Sequence, residues 1–216
     1  MAYRRTDARI QHSEEMRENI LKAALILIKE KGLAGLTIRK TIDRASTSNG
    51  NFYFYFKDKE DLIDQLIKSE VEKVLAPVDR IGQYYQKKEL SSAVILASMV
   101  YTGVKVGLDY SSHSGILFQK ALRSRTYSIL RPIMIERTQK VFESIQLPDG
   151  LDSLLGATMW QGSLLVTIEE YGNKECDHHK VALHCASWNL RALGWEQKDA
   201  LQALEQVVKT PITELS

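Results

Sequence analysis

Apolar residues recur at spacings of three and four along most of this chain, with polar residues filling the other faces. Met16, Ile20, Ala23, Ala24, Leu27 and Ile28 form the first such stripe, the mark of an amphipathic helix. Ser13 is placed to cap that helix, Glu14 and Glu15 suit its positive end, and Gly32 suits its stop. Thr37 then opens a shorter helix whose apolar positions are Ile38, Ile42 and Ala45. Ser48 offers a third N-cap. From Asp58 a fourth stripe begins, with Glu60 and Asp61 in its first turn and Leu62, Ile63, Leu66, Ile67 and Val71 along one face.

Between the third cap and the fourth stripe the chain reads SNGNFYFYFKDKEDL. Asn-Gly followed by an aromatic run is a hairpin signal. A hairpin, however, needs a strand-prone run on both sides, and upstream there is only IDRASTS. A lone hairpin is also marginal in water. The pattern therefore predicts a short helix, a tight turn and a second short helix capped by Ser48. With the first long helix these make a helix-turn-helix over about residues 37–56.

Further along, residues 90–110 and 151–170 are apolar almost all round the helical wheel, which predicts helices buried on more than one side. Gly156 and Gly162 permit close approach of neighbouring helices. Residues 180–193 continue the pattern until Gly194, and Glu196–Val208 closes the chain. The predicted class is all-α.

Composition adds constraints. The 216 residues are 44% hydrophobic and 26% charged, an ordinary globular balance. No apolar run reaches the ~18 to 20 residues of a membrane span, and the N-terminus MAYRRTDARIQHSEE has no signal-peptide core. Two cysteines without such a signal point to a reducing cytoplasm. The net charge of +2 is small but uneven. Residues 1–60 carry 12 Lys/Arg against 8 Asp/Glu, and the remainder 17 against 19, so the basic end holds the helix-turn-helix.

The pattern Arg17-x-x-Ile20-Leu21-x-Ala23-Ala24, Glu30-x-Gly32, Leu36-Thr37-Ile38 and Ala45-x-x-Ser48-x-Gly50-x-Phe52-Tyr53-x-Tyr55-Phe56-x-x-Lys59-Glu60-x-Leu62 resembles the TetR family of bacterial transcription regulators. The resemblance implies a DNA-binding domain at residues 14–74, followed by a larger helical domain at 75–216 for ligand binding and dimerisation. It also implies a homodimer on a palindromic double-stranded operator, released by a small-molecule effector, with a four-helix bundle as the dimer interface. In two places the chain departs from the family pattern. Ser46-Thr47 replaces a usual Gly-Val in the turn, and Thr41-Ile42 a usual Ile-Ala. A side chain at the glycine position costs of order 1 kcal/mol if the backbone there is left-handed.

On the family pattern Tyr53, Tyr55 and Lys59 are expected to meet phosphates, and Thr37 and Arg39 to reach the backbone. Ser48, Asn49, Gly50 and Asn51 form the first turn of the recognition helix, and Asn amides suit an adenine edge. Phe52 and Phe56 are expected inside, Phe54 inside or half-buried, and Arg4 and Arg5 on an arm able to touch DNA. Beyond residue 80 the family pattern fades. Tyr101, Tyr110, Phe118, Met134, Met159 and Trp160 are candidate lining for an apolar effector pocket between helices. Arg123, Arg125 and Arg131 offer partners for an acidic ligand or simply a solvated face.

Cys176, His178, His179, His184 and Cys185 carry the right atoms for a metal or thiol sensor. Their spacing is poor: along one helix the two cysteines would stand ~13.5 Å apart, beyond disulfide reach. A regulator responding to metal or oxidant through this cluster is the alternative reading. The sequence calls for no cofactor. No nucleophile motif, acid/base pair or phosphate-binding glycine loop points to an enzyme.

Overall fold

The structure, a computed structural model, describes residues 2–88, 90–113, 116–119, 121–145 and 150–209, with side chains from residue 10 onward except at 85, 86, 113 and 118. Nine α-helices and one 3-10 turn are present, with no strand among the described residues. They are α1 (Ala2–Gly35), α2 (Ile38–Arg44), α3 (Asn49–Tyr55), α4 (Lys59–Lys87) and α5 (Ser92–His113). The turn Ile116–Phe118 leads to α6 (Arg123–Ser144), α7 (Ser153–Tyr171), α8 (His178–Ala192) and α9 (Gln197–Val208).

The first stripe lies inside a longer helix than the capping residues suggest. α1 starts at Ala2, so Ser13 does not cap it. The Ser13 hydroxyl instead meets that of Tyr55 at 3.1 Å. Gly32 does break the helix, at φ 65° and ψ 179°, a conformation that only glycine adopts without strain. The side chains of Arg4 and Arg5 lie outside the described residues.

α2 ends in a Schellman motif. The Thr47 amide reaches the Ile42 carbonyl at 3.1 Å and the Ser46 amide that of Asp43 at 3.3 Å, with Ser46 at φ 49°. A glycine usually fills this left-handed position. Here a serine holds it, so the turn survives with a strained residue at its centre.

Two cores stack end to end. The first gathers Ile20, Ala24, Leu27, Phe52, Phe56, Leu62, Leu66 and Ile67, and is joined by Ile116, Leu117, Leu122, Leu130 and Leu165 from the larger half. The second centres on α5, with Leu96, Val100, Val104, Trp160, Ala186, Leu190 and Leu204. α4 runs unbroken past residues 74 and 75, so the two halves share one helix. α5 corrects one reading from composition: Ser92–Ser112 has mean hydropathy 1.3 and is long and apolar enough to cross a membrane. Of that stretch 72% is buried against other helices, which accounts for its composition.

Polar clamps fix how the helices meet. Arg125 in the first turn of α6 bonds the Asp64 and Glu60 carboxylates, and the Glu60 carbonyl at 2.9 Å, all on the first turns of α4. Beside it, Arg123 pairs with Glu169 of α7 at 2.5 Å. Two arginines at a helix N-terminus oppose the helix dipole, and these carboxylates offset that repulsion.

Two expectations follow. Ser46→Gly relieves the left-handed serine, and should stabilise the chain by about 0.5 to 1 kcal/mol after glycine's larger unfolded-state entropy is subtracted. A thermal melt should then rise by ~2 to 4 °C, and a fall would show that the turn is unstrained. The second concerns acid. The Arg125 hydrogen bond holds the Asp64 carboxyl below its ordinary 3.8. A depressed acid contributes stability above its unfolded value, and loses it as pH falls through the folded one. Arg125→Met should therefore melt earlier than the parent at neutral pH, and the gap should close below 3.8. A gap independent of pH would assign the arginine's effect to packing.

Candidate nucleic-acid interface and effector cavity

The interface is built on α3, and α3 is held by its inner face. Phe52 and Phe56 are fully buried, with ring centroids 5.5 Å apart. The Ser48 hydroxyl accepts the Asn51 amide at 3.2 Å, and the Thr37 hydroxyl accepts the Lys40 amide at 3.3 Å, so both short helices begin at the expected caps. A polar network sets the angle of the pair. Arg17 of α1 donates to Gln65 of α4 at 2.9 Å, and Gln65 donates to the Tyr55 carbonyl at 3.2 Å and to Asp61. Asp61 accepts the Lys57 amide at 2.8 Å, and that bond is the main reason its carboxyl sits below the ordinary range. Asn19 bonds the Ala45 carbonyl at 2.9 Å, and Arg44 makes a two-pronged pair with Glu30 at 2.8 Å.

The outer face of α3 carries Asn49, Gly50, Asn51, Tyr53 and Phe54, all exposed. Asn51 turns its amide back to the Thr47 hydroxyl at 3.1 Å. Tyr53 is 57% exposed. Thr37 and Arg39 are exposed at the start of α2, and Lys59 is half-exposed at the first position of α4. Asp58 precedes α4 and caps it, accepting the Asp61 amide at 2.8 Å, rather than opening the helix. Tyr55 differs from the expectation: it is half-buried, and its hydroxyl is engaged with Ser13. Phe54 corrects the sequence reading, since it is 75% exposed rather than buried. At 100° per residue, Gly50 and Phe54 share the ridge opposite Phe52 and Phe56.

In the larger half an enclosed apolar cavity of about 40 Å³ lies between α4, α5, α6 and α7. Val74, Leu75 and Val78 wall it from α4, Leu130 and Met134 from α6, and Trp160, Gln161 and Leu164 from α7. Trp160 is buried edge-on against Phe142, at 5.4 Å between centroids. Of the six candidate pocket residues, then, Met134 and Trp160 line this space.

The others fall elsewhere. Met159 is 61% exposed, because one residue's step of about 100° carries it off the buried face of α7 that holds Trp160. Tyr101 is buried in the second core with its hydroxyl on His179 Nδ1 at 2.8 Å. Tyr110 donates at 2.5 Å to Glu70, a carboxylate only 2% exposed that also pairs with Lys73. Burial, with Glu70 close by, pushes the Tyr110 phenol far up, so it stays protonated. The Phe118 side chain lies outside the described residues. Arg123 and Arg125 are spent on the clamps to α7 and α4, and Arg131 is exposed.

The cysteine–histidine cluster divides in two. Cys176, His184 and Cys185 border one open cleft of about 370 Å³ with Asp177 and Lys180. His178 bonds Asp109 at 2.7 Å and His179 bonds Tyr101, both toward α5. Both cysteines are free thiols, and burial pushes that of Cys185 up. Among the described residues no three His, Cys, Asp or Glu side chains are placed to share a metal ion. The sequence puts these ligands close together, but α8 begins at His178 and its turns send them in different directions.

Gly156 packs where a Cβ would meet Phe142 at 2.9 Å, as the close-approach reading expects. Gly162 has nothing within 4 Å and lies on the outer face of α7. That face exposes Leu155, Met159 and Val166, and α8 adds Trp188, 59% exposed. Leu165 and Leu190, by contrast, are buried within the chain.

Residues 20–66 match the family described as bacterial regulatory proteins, tetR family. The chain is 28% identical over 102 residues to the HTH-type transcriptional repressor KstR2 of Rhodococcus jostii, a match spanning 46% of each chain and so less than half of that relative. It is 24% identical over 198 residues to the fatty acid metabolism regulator protein of Bacillus subtilis, covering 83% of this chain and 95% of that one. Among solved structures, RolR in complex with resorcinol superposes with a TM-score of 0.64 at 22% identity, over 96% of this chain and 100% of the other, a likeness that carries the fold. Family model and relatives agree over the N-terminal part of the chain: residues 20–66 form a helix-turn-helix domain of the tetR family of bacterial regulatory proteins.

Proposed function

We propose that this protein is a cytoplasmic, homodimeric transcriptional repressor that leaves its operator when a small apolar molecule enters the cavity. The observation that carries the reading is the outer face of α3: polar and aromatic groups exposed on a helix that two buried phenylalanines and the Arg17–Gln65–Asp61 network hold still. Tyr53 on that face, together with Arg39 of α2 and Lys59 of α4, supplies phosphate partners, and Asn49 and Asn51 supply base partners. Phe54 adds a bare ring on the ridge that would lie deepest in the groove, suited to the methyl group of thymine. KstR2 is named a repressor, and RolR was solved with resorcinol, which supports both the direction of control and a small effector.

The exposed outer face of α7 and α8 is where a second copy would seat, forming a four-helix bundle. The mechanism is an equilibrium between two dimer shapes. One sets the recognition helices about one DNA turn apart, ~34 Å, and the effector favours the other. Pro77 in α4 and Pro132 in α6 each remove one helical hydrogen bond beside the cavity, which makes those walls the easiest to bend. The metal or thiol reading gains no support from the divided cluster.

Operator affinity tests the interface. Tyr53→Phe should fold normally and weaken binding to all sequences by ~1 to 2 kcal/mol, as for one hydrogen bond to a charged group. Asn51→Ala and Phe54→Ala should instead alter sequence preference, Phe54→Ala erasing the difference between thymine and uracil at one step of each half-site. Unchanged affinity of Tyr53→Phe at matched salt would contradict this placement of α3. Assembly tests the dimer: Met159→Glu or Leu155→Glu should leave the fold intact yet give a monomer that loses the operator. Sedimentation showing a parent monomer at micromolar concentration would overturn the homodimer.

A further inference from the structure

The cavity between α4 and α7 is apolar except for Gln161. That side chain is 4% exposed, and its Nε2 donates to the Thr138 hydroxyl. Its Oε1 has no hydrogen-bond partner among the described residues. A buried carbonyl left without a donor costs ~1 to 3 kcal/mol, so it is a standing attraction for any molecule that brings one. The walls carry no cation: the other lining residues are Val74, Leu75, Val78, Met99, Gly103 and further aliphatic or aromatic groups. An anion would meet an acceptor and no countercharge. Size adds a second limit. At about 40 Å³ the space is far below the ~150 Å³ that receives a benzene ring in a preformed cavity. Met99 and Met134 stand on different helices of the wall, and methionine is the side chain that moves most readily to admit a guest.

We propose that this cavity binds a small, neutral, apolar molecule bearing one hydrogen-bond donor, of the phenol or short alcohol class, with the donor on Gln161 Oε1. The inference rests on the effector reading above but is tested without DNA. The guest's ring lies among Val78, Met99, Leu130, Met134 and Leu164, and its hydroxyl completes the Gln161 carbonyl, the unpaired polar group among the described lining residues. A carboxylate such as benzoate is excluded by charge, and a hydrocarbon such as toluene leaves the carbonyl unsatisfied.

The test is calorimetry and thermal shift on the full chain with phenol, toluene and benzoate, with Trp160 fluorescence as a local reporter. Phenol should bind at least tenfold more tightly than toluene, and benzoate should show no binding. Gln161→Met should bring phenol and toluene within a factor of two of each other. Gly103→Ala should weaken binding of both at least tenfold by taking up part of the small space. A Cβ at Gly103 makes only ordinary contacts, 3.6 Å to Leu164 and 3.8 Å to Val78, so this variant should fold. Benzoate binding as tightly as phenol, phenol binding unaffected by either variant, or no probe binding at all would overturn the proposal. The two readings fail separately. Phenol that binds without releasing the operator upholds the site and contradicts the effector role. A chain that binds operator but no phenol contradicts the site alone.

Discussion

The constraint on which the rest depends is that one helix belongs to both cores. Over its first turns α4 places Leu62 and Leu66 beneath Phe52 and Phe56, and Gln65 against the end of α3. Over its later turns the same helix supplies Val74, Leu75 and Val78 to the cavity. Between these ends it carries Glu70 buried against Tyr110, and Pro77 where the backbone lacks one bond. Arg125 then ties the first turns of α4 to α6, whose Leu130 and Met134 line the cavity on either side of the exposed Pro132 in sequence. On the proposed function, a change in cavity volume would act through α4 on the helix that holds α3 in place.

This arrangement gives the two halves different physics. The DNA-facing half is fixed by caps, two buried rings and polar bonds to backbone, interactions that permit few alternative positions. The larger half is a stack of apolar helices around a small void, with one proline in each of α4 and α6 and two methionines in the cavity wall. A firmly held reader joined to a more loosely packed half suits the proposed shift between dimer shapes, in which an effector would need only a differential affinity for the two.

The DNA-facing half was legible in the sequence because its signals are local. Thr37, Ser48 and Gly32 mark ends within a few residues of themselves, and the Phe52–Phe56 pair declares the buried side of α3. Even there the reading slipped at Phe54, where aromatic character suggested burial and helical geometry dictated exposure. Ser13 slipped as well: as a cap it satisfied local rules, but α1 continues past it and its hydroxyl serves Tyr55. In the larger half the difficulty is of another kind. α5 and α7 are apolar on nearly every face, so periodicity cannot say which side meets a neighbour, a cavity or a partner. Met159 and Trp160 are adjacent in sequence, yet one is exposed and the other lines the cavity. Leu165 and Leu190 are buried within the chain, while Gly162 and Val166 face out. The polar partners that decide these questions, Gln161 with Thr138 and Arg125 with Asp64, are 23 and 61 residues apart and leave no sequence trace.

The central claim is that α4 couples cavity and recognition helix. Amide hydrogen exchange along the whole chain, with and without an operator duplex selected from random sequence, tests it most directly. The account predicts that DNA slows exchange in α3 and also in α4 around Pro77 and in α6 around Pro132, segments that touch no DNA. Protection confined to α2, α3 and the first turn of α4 would contradict it.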